Sequence, residues 1–124
     1  MLKNAPIRAY IPANDVKRAR KFYEGPIGLT PKEEYAGGVI YQCRGAEVFL
    51  YPTPNAGTSK ASQAFWQVAD VEAEVKELKG RGVTFEEYDF PGFKMVDSIL
   101  TAGGAKTAWF KDTEGNILAI SQRL

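Results

Sequence analysis

Side chains able to do chemistry are scarce in this chain of 124 residues. It has no histidine and one cysteine, Cys43, so neither a Cys-His nucleophile pair nor a Cys-His metal site can be assembled, and no internal disulfide can form. Cys43 reads as a small buried hydrophobe, since nothing near it in sequence lowers a thiol pKa. A lone tyrosine, with a pKa near 10, is a poor base without a neighbour to lower it. Asp97 and Lys106 lie near the Gly103-Gly104 turn, where solvated charge is expected. Sixteen Lys plus Arg against fifteen Asp plus Glu leave a net charge of +1. Lys17, Arg18, Arg20 and Lys21 are the one concentration of basic residues, and they read as the solvated face of a helix, so nucleic acid is not an expected partner.

The elements that must position these residues follow from pattern. Residues 7–11 read as a strand ending at Pro12, after which Asn14 or Asp15 can cap a helix carrying Val16, Ala19, Phe22 and Tyr23 on one face. Gly25-Pro26 ends that helix, because proline cannot continue its hydrogen-bond ladder. Residues 38–43 and 47–51 read as strands of a hairpin through Arg44-Gly45-Ala46. Residues 53–62, rich in Pro, Gly, Ser, Thr and Asn, form a linker. Then the order restarts: a strand at 64–68, Asp70 as cap, a helix with Val71, Val75 and Leu78, closure at Gly80 and Gly82, and strands at 83–88, 94–100, 106–111 and 117–121. The last two are joined by a tight turn at residues 112–116, where Gly115 can supply a positive φ.

The order is strand, helix, three strands, twice over. Letters repeat with it: Asp15-Val16 as Asp70-Val71, Gly28-Leu29-Thr30 as Gly82-Val83-Thr84, and Glu33-Glu34-Tyr35 as Glu86-Glu87-Tyr88. A period near half the chain implies two similar modules, about 5–52 and 63–123, sharing one core in a single domain of 1–124 and building a cavity between them. The composition, 44% hydrophobic and 25% charged, suits such a globular domain. The longest apolar runs fall far short of the ~20 residues a membrane span requires. The N-terminal Met-Leu-Lys-Asn-Ala-Pro has no signal-peptide apolar region, so a cytoplasmic protein away from membranes is expected.

The segment Arg-Ala-Tyr-Ile-Pro-Ala-Asn-Asp-Val-Lys-Arg-Ala-Arg-Lys-Phe-Tyr at 8–23 followed by Gly28-Leu29, the segment Val68-Ala69-Asp70-Val71, and the run Trp109-Phe110-Lys111-Asp112-Thr113-Glu114-Gly115-Asn116-Ile117 together resemble the vicinal oxygen chelate family of glyoxalases, bleomycin resistance proteins and dioxygenases. Thr113 and Glu114 depart from that family's Asp-Pro-Asp-Gly-Asn turn. The resemblance spans nearly the whole chain and implies an α+β fold of two βαβββ modules whose curved mixed sheets enclose a cavity, in a homodimer. Metal-dependent members hold an ion with four side chains, one from the first and one from the last strand of each module. Those positions fall on Arg8, Phe49, Gln63 and Ala119, with the register at Phe49 free to slip by one or two residues, which could bring Glu47 into the cavity. An arginine, a phenyl ring, a carboxamide and a methyl group cannot bind a divalent ion tightly, so no metal and no other cofactor is expected.

Placing Arg8 on the cavity side puts Tyr10 there by alternation, and the same parity groups Glu47, Phe49 and Tyr51, then Gln63, Phe65 and Gln67, then Ala119 and Ser121. The expected ligand contacts are therefore Arg8, Tyr10, Phe49, Tyr51, Gln63, Phe65, Gln67 and Ser121, an aromatic lining with sparse polar points. The rings could instead fill the cavity as core, and Arg8 could be a surface ion-pair residue. Trp66 and Trp109 read as core, Trp66 because its parity points it at the second helix. One functional reading is metal-free binding of a small planar or aromatic organic molecule, as in drug-binding and resistance proteins. Another is a lyase, isomerase or dioxygenase-like enzyme acting on a small oxygenated compound, with Arg8 stabilising an oxyanion and Tyr10, Tyr51 or Glu47 handling protons. A third is an interaction domain without a ligand.

Overall fold

A computed structural model describes residues 1–124. It comprises two compact units, Met1–Ala56 and Gly57–Leu124.

The first unit runs β1 (Ala9–Ala13), α1 (Val16–Glu24), β2 (Pro31–Tyr35), β3 (Gly38–Cys43) and β4 (Ala46–Pro52), with sheet order β1-β4-β3-β2. β1 is parallel to β4 and the rest is antiparallel. The expected first strand ended before Pro12; the observed one starts two residues later and continues through Pro12 to Ala13. β1 is an edge strand, where a residue without an N–H costs no ladder bond on the outer side. Asp15 is the cap, accepting from the Arg18 amide at 3.0 Å. The hairpin turn is Arg44-Gly45, and Ala46 already pairs with Cys43. β2 was not recognisable as a strand because Pro-Lys-Glu-Glu-Tyr is exposed throughout and shows no apolar alternation.

The second unit runs β5 (Ala64–Gln67), α2 (Val71–Gly80), β6 (Leu100–Ala102), β7 (Ala105–Lys111) and β8 (Ile117–Arg123), ordered β5-β8-β7-β6. Asp70 caps α2 through the Ala73 amide at 3.1 Å. The strands expected at 83–88 and 94–100 do not form. The first is irregular chain attached by one bridge, Phe85 to Phe110, with the Glu86 amide donating to the Trp109 carbonyl at 2.8 Å. Within the second, residues 96–99 close a tight turn and only Leu100 joins the sheet. The apolar letters there satisfy burial of single side chains, Val83, Phe85 and Ile99, rather than a ladder.

In each unit the helix packs on one face of its sheet. Ala19 and Tyr23 lie on α1 and Ile11, Val39, Tyr41 and Leu50 on the facing strands, all buried. Tyr41 donates from its hydroxyl to Glu24 at 2.8 Å, and Arg20 joins Glu24 at 2.6 Å and Glu34 at 2.8 Å, tying helix to sheet. In the second unit Val71 and Val75 are buried on α2, with Ala108, Phe110, Leu118 and Ile120 buried on the strands, and Trp66 stacks on Phe110. The turn into β8 is closed by Asp112. Its carboxylate accepts from the amides of Glu114 and Asn116, each at 2.9 Å, and from the Asn116 carboxamide at 2.8 Å, while Gly115 adopts φ 85°. Asn116 Oδ1 in turn accepts from the Gly57 amide at 3.2 Å. The most family-like letters in the chain thus build a turn and anchor the loop that enters this unit.

Candidate functional site

Pairing of Tyr10 with Phe49 and of Pro12 with Tyr51 across β1 and β4 places these side chains on the sheet face opposite α1. Their rings meet: Tyr10 lies 4.8 Å from Tyr51 and 5.7 Å from Phe49 by ring centroid, and Phe49 lies 6.1 Å from Tyr51. Tyr35, from the unforeseen strand β2, adds a fourth ring 5.5 Å from Phe49. Tyr10 is 66% exposed and Tyr35 58%, so this cluster is not a closed core. Gly38 gives Phe49 its space: a Cβ there would sit 1.9 Å from the Leu50 carbonyl oxygen and 3.0 Å from the Phe49 ring.

Arg8 precedes β1, and its guanidinium donates to Glu47 at 2.8 Å. Lys32 bonds the other Glu47 oxygen. The hydrogen bond from Lys32, followed by that from Arg8, holds the Glu47 carboxyl below the usual carboxylate range. Two cations share one carboxylate, so the cluster keeps a positive charge beside the rings. Glu47 is thereby a weak base, and Arg8 takes the ion-pair role that the sequence left open.

In the second unit, Phe65 pairs with Ala119, Gln67 with Ser121, and Ala119 with Trp109, which puts Phe65, Gln67, Ala119, Ser121, Thr107 and Trp109 on the face opposite α2. Gln63 lies one residue before β5 on the same parity, its amide bonded to the Ile117 carbonyl at 2.9 Å. Ser121 shares a 3.1 Å hydrogen bond with Thr107. Phe65 is 63% exposed. Trp109, expected in the core beside Trp66, instead forms a ring trio with Tyr88 at 5.7 Å and Phe90 at 5.8 Å. The signal was available: Phe110 faces the helix, so its neighbour in a strand faces away. Lys60, Ser62 and Ile117 complete a recess of about 290 Å³ around the trio. The Tyr88 hydroxyl is buried without a hydrogen-bond partner, and burial, reinforced by Glu86, raises its pKa.

The structure therefore brings Arg8, Tyr10, Phe49 and Tyr51 together in one unit, and Gln63, Phe65, Gln67 and Ser121 in the other. Sequence reasoning missed Tyr35, Tyr88, Phe90 and the orientation of Trp109. The four positions at which the resemblance implies metal ligands, Arg8, Phe49, Gln63 and Ala119, carry a bonded guanidinium, a hydrocarbon ring, a carboxamide and a methyl group, a donor set that does not fit a divalent ion. No group of three His, Cys, Asp or Glu side chains elsewhere is arranged to hold one. No helix is long and apolar enough to cross a membrane.

Residues 6–120 match the family model described as Glyoxalase/Bleomycin resistance protein/Dioxygenase superfamily. No curated protein matches the sequence. Among solved structures, TnmS3, an antibiotic binding protein from Streptomyces sp. CB03234, is 21% identical, with 100% of this chain and 99% of that one covered at a TM-score of 0.74. UcmS2 is 17% identical over 94% of this chain and 96% of its own, also at 0.74. A lactoylglutathione lyase from Agrobacterium tumefaciens is 20% identical over 96% and 93%, at 0.65. At these identities the likeness establishes the fold.

Proposed function

This chain belongs to the glyoxalase, bleomycin resistance protein and dioxygenase superfamily, and from that premise we propose that it is a metal-independent binding protein for a planar aromatic organic molecule. The observation that carries the reading is the partly exposed cluster of Tyr10, Tyr35, Phe49 and Tyr51. Tilted rings left in contact with water offer faces and edges on which a flat apolar ligand can stack, releasing that water. On the second unit, taken by itself, Phe65 offers a ring with Gln63, Gln67 and Ser121 as polar points for the oxygen or nitrogen atoms of such a molecule. Arg8, fixed by Glu47, contributes positive potential at the edge of the first cluster. That a protein of the same fold, TnmS3, is an antibiotic binding protein supports this class of activity. Stacking takes the place of coordination, because the donor set does not fit a metal. The lowered pKa of Glu47 argues against its use as a general base, which weighs against the enzymatic alternative. We read the protein as a homodimer, supported by the uncovered rings of Tyr10, Tyr35 and Phe65.

Titration with 9-anthracenemethanol, a neutral probe of three fused rings, tests the reading. Saturable fluorescence change with Kd below about 1 mM, unaltered by a chelator and with the probe recovered unmodified, is the expected result. Binding abolished by the chelator, or no saturation, would sink it.

A further inference from the structure

On the helix side of the second unit's sheet, away from the rings of the proposed ligand face, α2 and the turn at 96–99 enclose a groove of about 620 Å³. We propose that this groove binds an amphipathic organic anion, a carboxylate carrying a medium-length hydrocarbon tail. Its location follows from spacing. Glu72, Val75, Lys76 and Lys79 recur at i, i+3, i+4 and i+7 and so share one side of α2, and Lys106 on β7 lies on the sheet face toward α2.

The groove's walls divide into two chemistries. Val75, Val96 and Ile99 are apolar, and Val96 is 66% exposed although it borders a volume in the range of small-molecule sites. Four lysines face two carboxylates across the rest. Lys106 is taken by Glu72 at 2.6 Å, whereas Lys76, Lys79 and Lys94 make no ion pair, leaving an excess of positive charge that Asp97 only partly offsets. Lysine stems extend the apolar surface while their ammonium groups stay at its edge, which matches a ligand with a tail below and a charge above.

An independent observation is the shape of the turn. Asp97 and Ser98 both adopt left-handed backbone, φ 52° and 68°, which side chains with a Cβ disfavour. The turn is held there by two backbone bonds of 2.9 Å between Val96 and Ile99, and by the buried Ser98 hydroxyl donating to Glu87 at 2.8 Å. Left-handed backbone at both central residues is what a two-residue hairpin turn requires, so the turn is a fixed element of the groove wall. The turn sets Val96 directly opposite Ile99, and the two side chains form the groove's apolar wall, Ile99 buried and Val96 exposed.

Calorimetric titration of the full chain with decanoate, below its micellar concentration, tests the proposal, with methyl NMR shifts of Val75, Val96 and Ile99 locating the site. Decanoate should bind once per chain, move those methyl signals, and weaken as salt rises. Lys76→Glu with Lys79→Glu should lower its affinity at least about tenfold, while Tyr10→Ala, on the other unit, leaves it unchanged. These lysines are exposed, and circular dichroism checks that the double variant folds. Equal binding of decanol would show that charge is not read, and equal binding of acetate that the tail is not; either overturns the proposal. So does decanoate binding that ignores the lysine changes or leaves the three methyl signals still. Binding only to anionic phospholipid vesicles would assign the patch to a membrane surface instead. Anthracenemethanol binding is scored separately, so failure of one site is distinguishable from failure of the other.

Discussion

Replacing Tyr10 with alanine separates a ligand face from a core, because the two predict opposite balances between stability and binding. Tyr10 touches Tyr51 at 4.8 Å and Phe49 at 5.7 Å, and it is 66% exposed. Buried aromatic pairs contribute ~0.5–1.5 kcal/mol beyond area, and exposure puts this residue at the low end, so Tyr10→Ala should cost about 0.5–1 kcal/mol in all. A ring that stacks on a planar ligand contributes ~1–3 kcal/mol to binding, equivalent to a loss of about 5- to 150-fold in Kd. Leu50→Ala is the contrast: Leu50 is fully buried beneath the same sheet, and its truncation should cost ~2–5 kcal/mol. Urea unfolding at constant m-value reads stability, and anthracenemethanol titration reads binding. A Tyr10→Ala variant that loses more than about 2 kcal/mol yet binds the probe as the parent does would refute the assignment of this cluster as a ligand face.

Gly38→Ala should destabilise by at least about 2 kcal/mol, since the added Cβ meets the Leu50 backbone oxygen, which cannot swing aside, and crowds Phe49; urea unfolding unchanged from the parent would contradict the close approach of β3 and β4. The Tyr41 to Glu24 hydrogen bond predicts stability limits at both ends of the pH scale. The Arg20 hydrogen bond first, and that of Tyr41 with it, depresses the Glu24 pKa, so its contribution is present above the unfolded value near 4.3 and is lost as pH falls through the folded value. Burial first, then Glu24, raises the Tyr41 pKa, so its contribution is present below the unfolded value near 10 and is lost as pH rises toward the folded one. Glu24→Gln should flatten the acid limb and Tyr41→Phe the alkaline limb of unfolding free energy against pH; identical slopes in parent and variants would show that folding shifts neither group.

Both helices with their caps, the hairpin between 38–43 and 47–51 and the final turn were legible because each is written in local chemistry: a carboxylate before a first turn, a short link through Arg44-Gly45-Ala46 between two apolar runs, an Asp that closes on its own neighbours. β2 escaped because an exposed edge strand needs no apolar alternation. Residues 83–88 misled in the opposite sense, since buried Val83 and Phe85 share strand spacing without sharing a ladder. Parity carried the cluster of Tyr10, Phe49 and Tyr51, as alternation survives any tertiary arrangement that keeps the strands paired. It would have carried Trp109 too, had Phe110 been fixed on the helix side first.

The duplicated strand-helix-strand plan and the absence of histidine could be read from the letters alone, because periodicity and donor chemistry are local properties, while the fold and the family's metal-ligand positions came from the resemblance of three motifs to the family. Tertiary structure decided that Arg8 and Lys32 share Glu47, that Tyr35 joins the aromatic cluster, and that Lys76 and Lys79 on α2 line one groove with the exposed Val96. These juxtapositions join residues far apart in the chain, and their distances are set by sheet register and by one disfavoured turn, which no local pattern encodes.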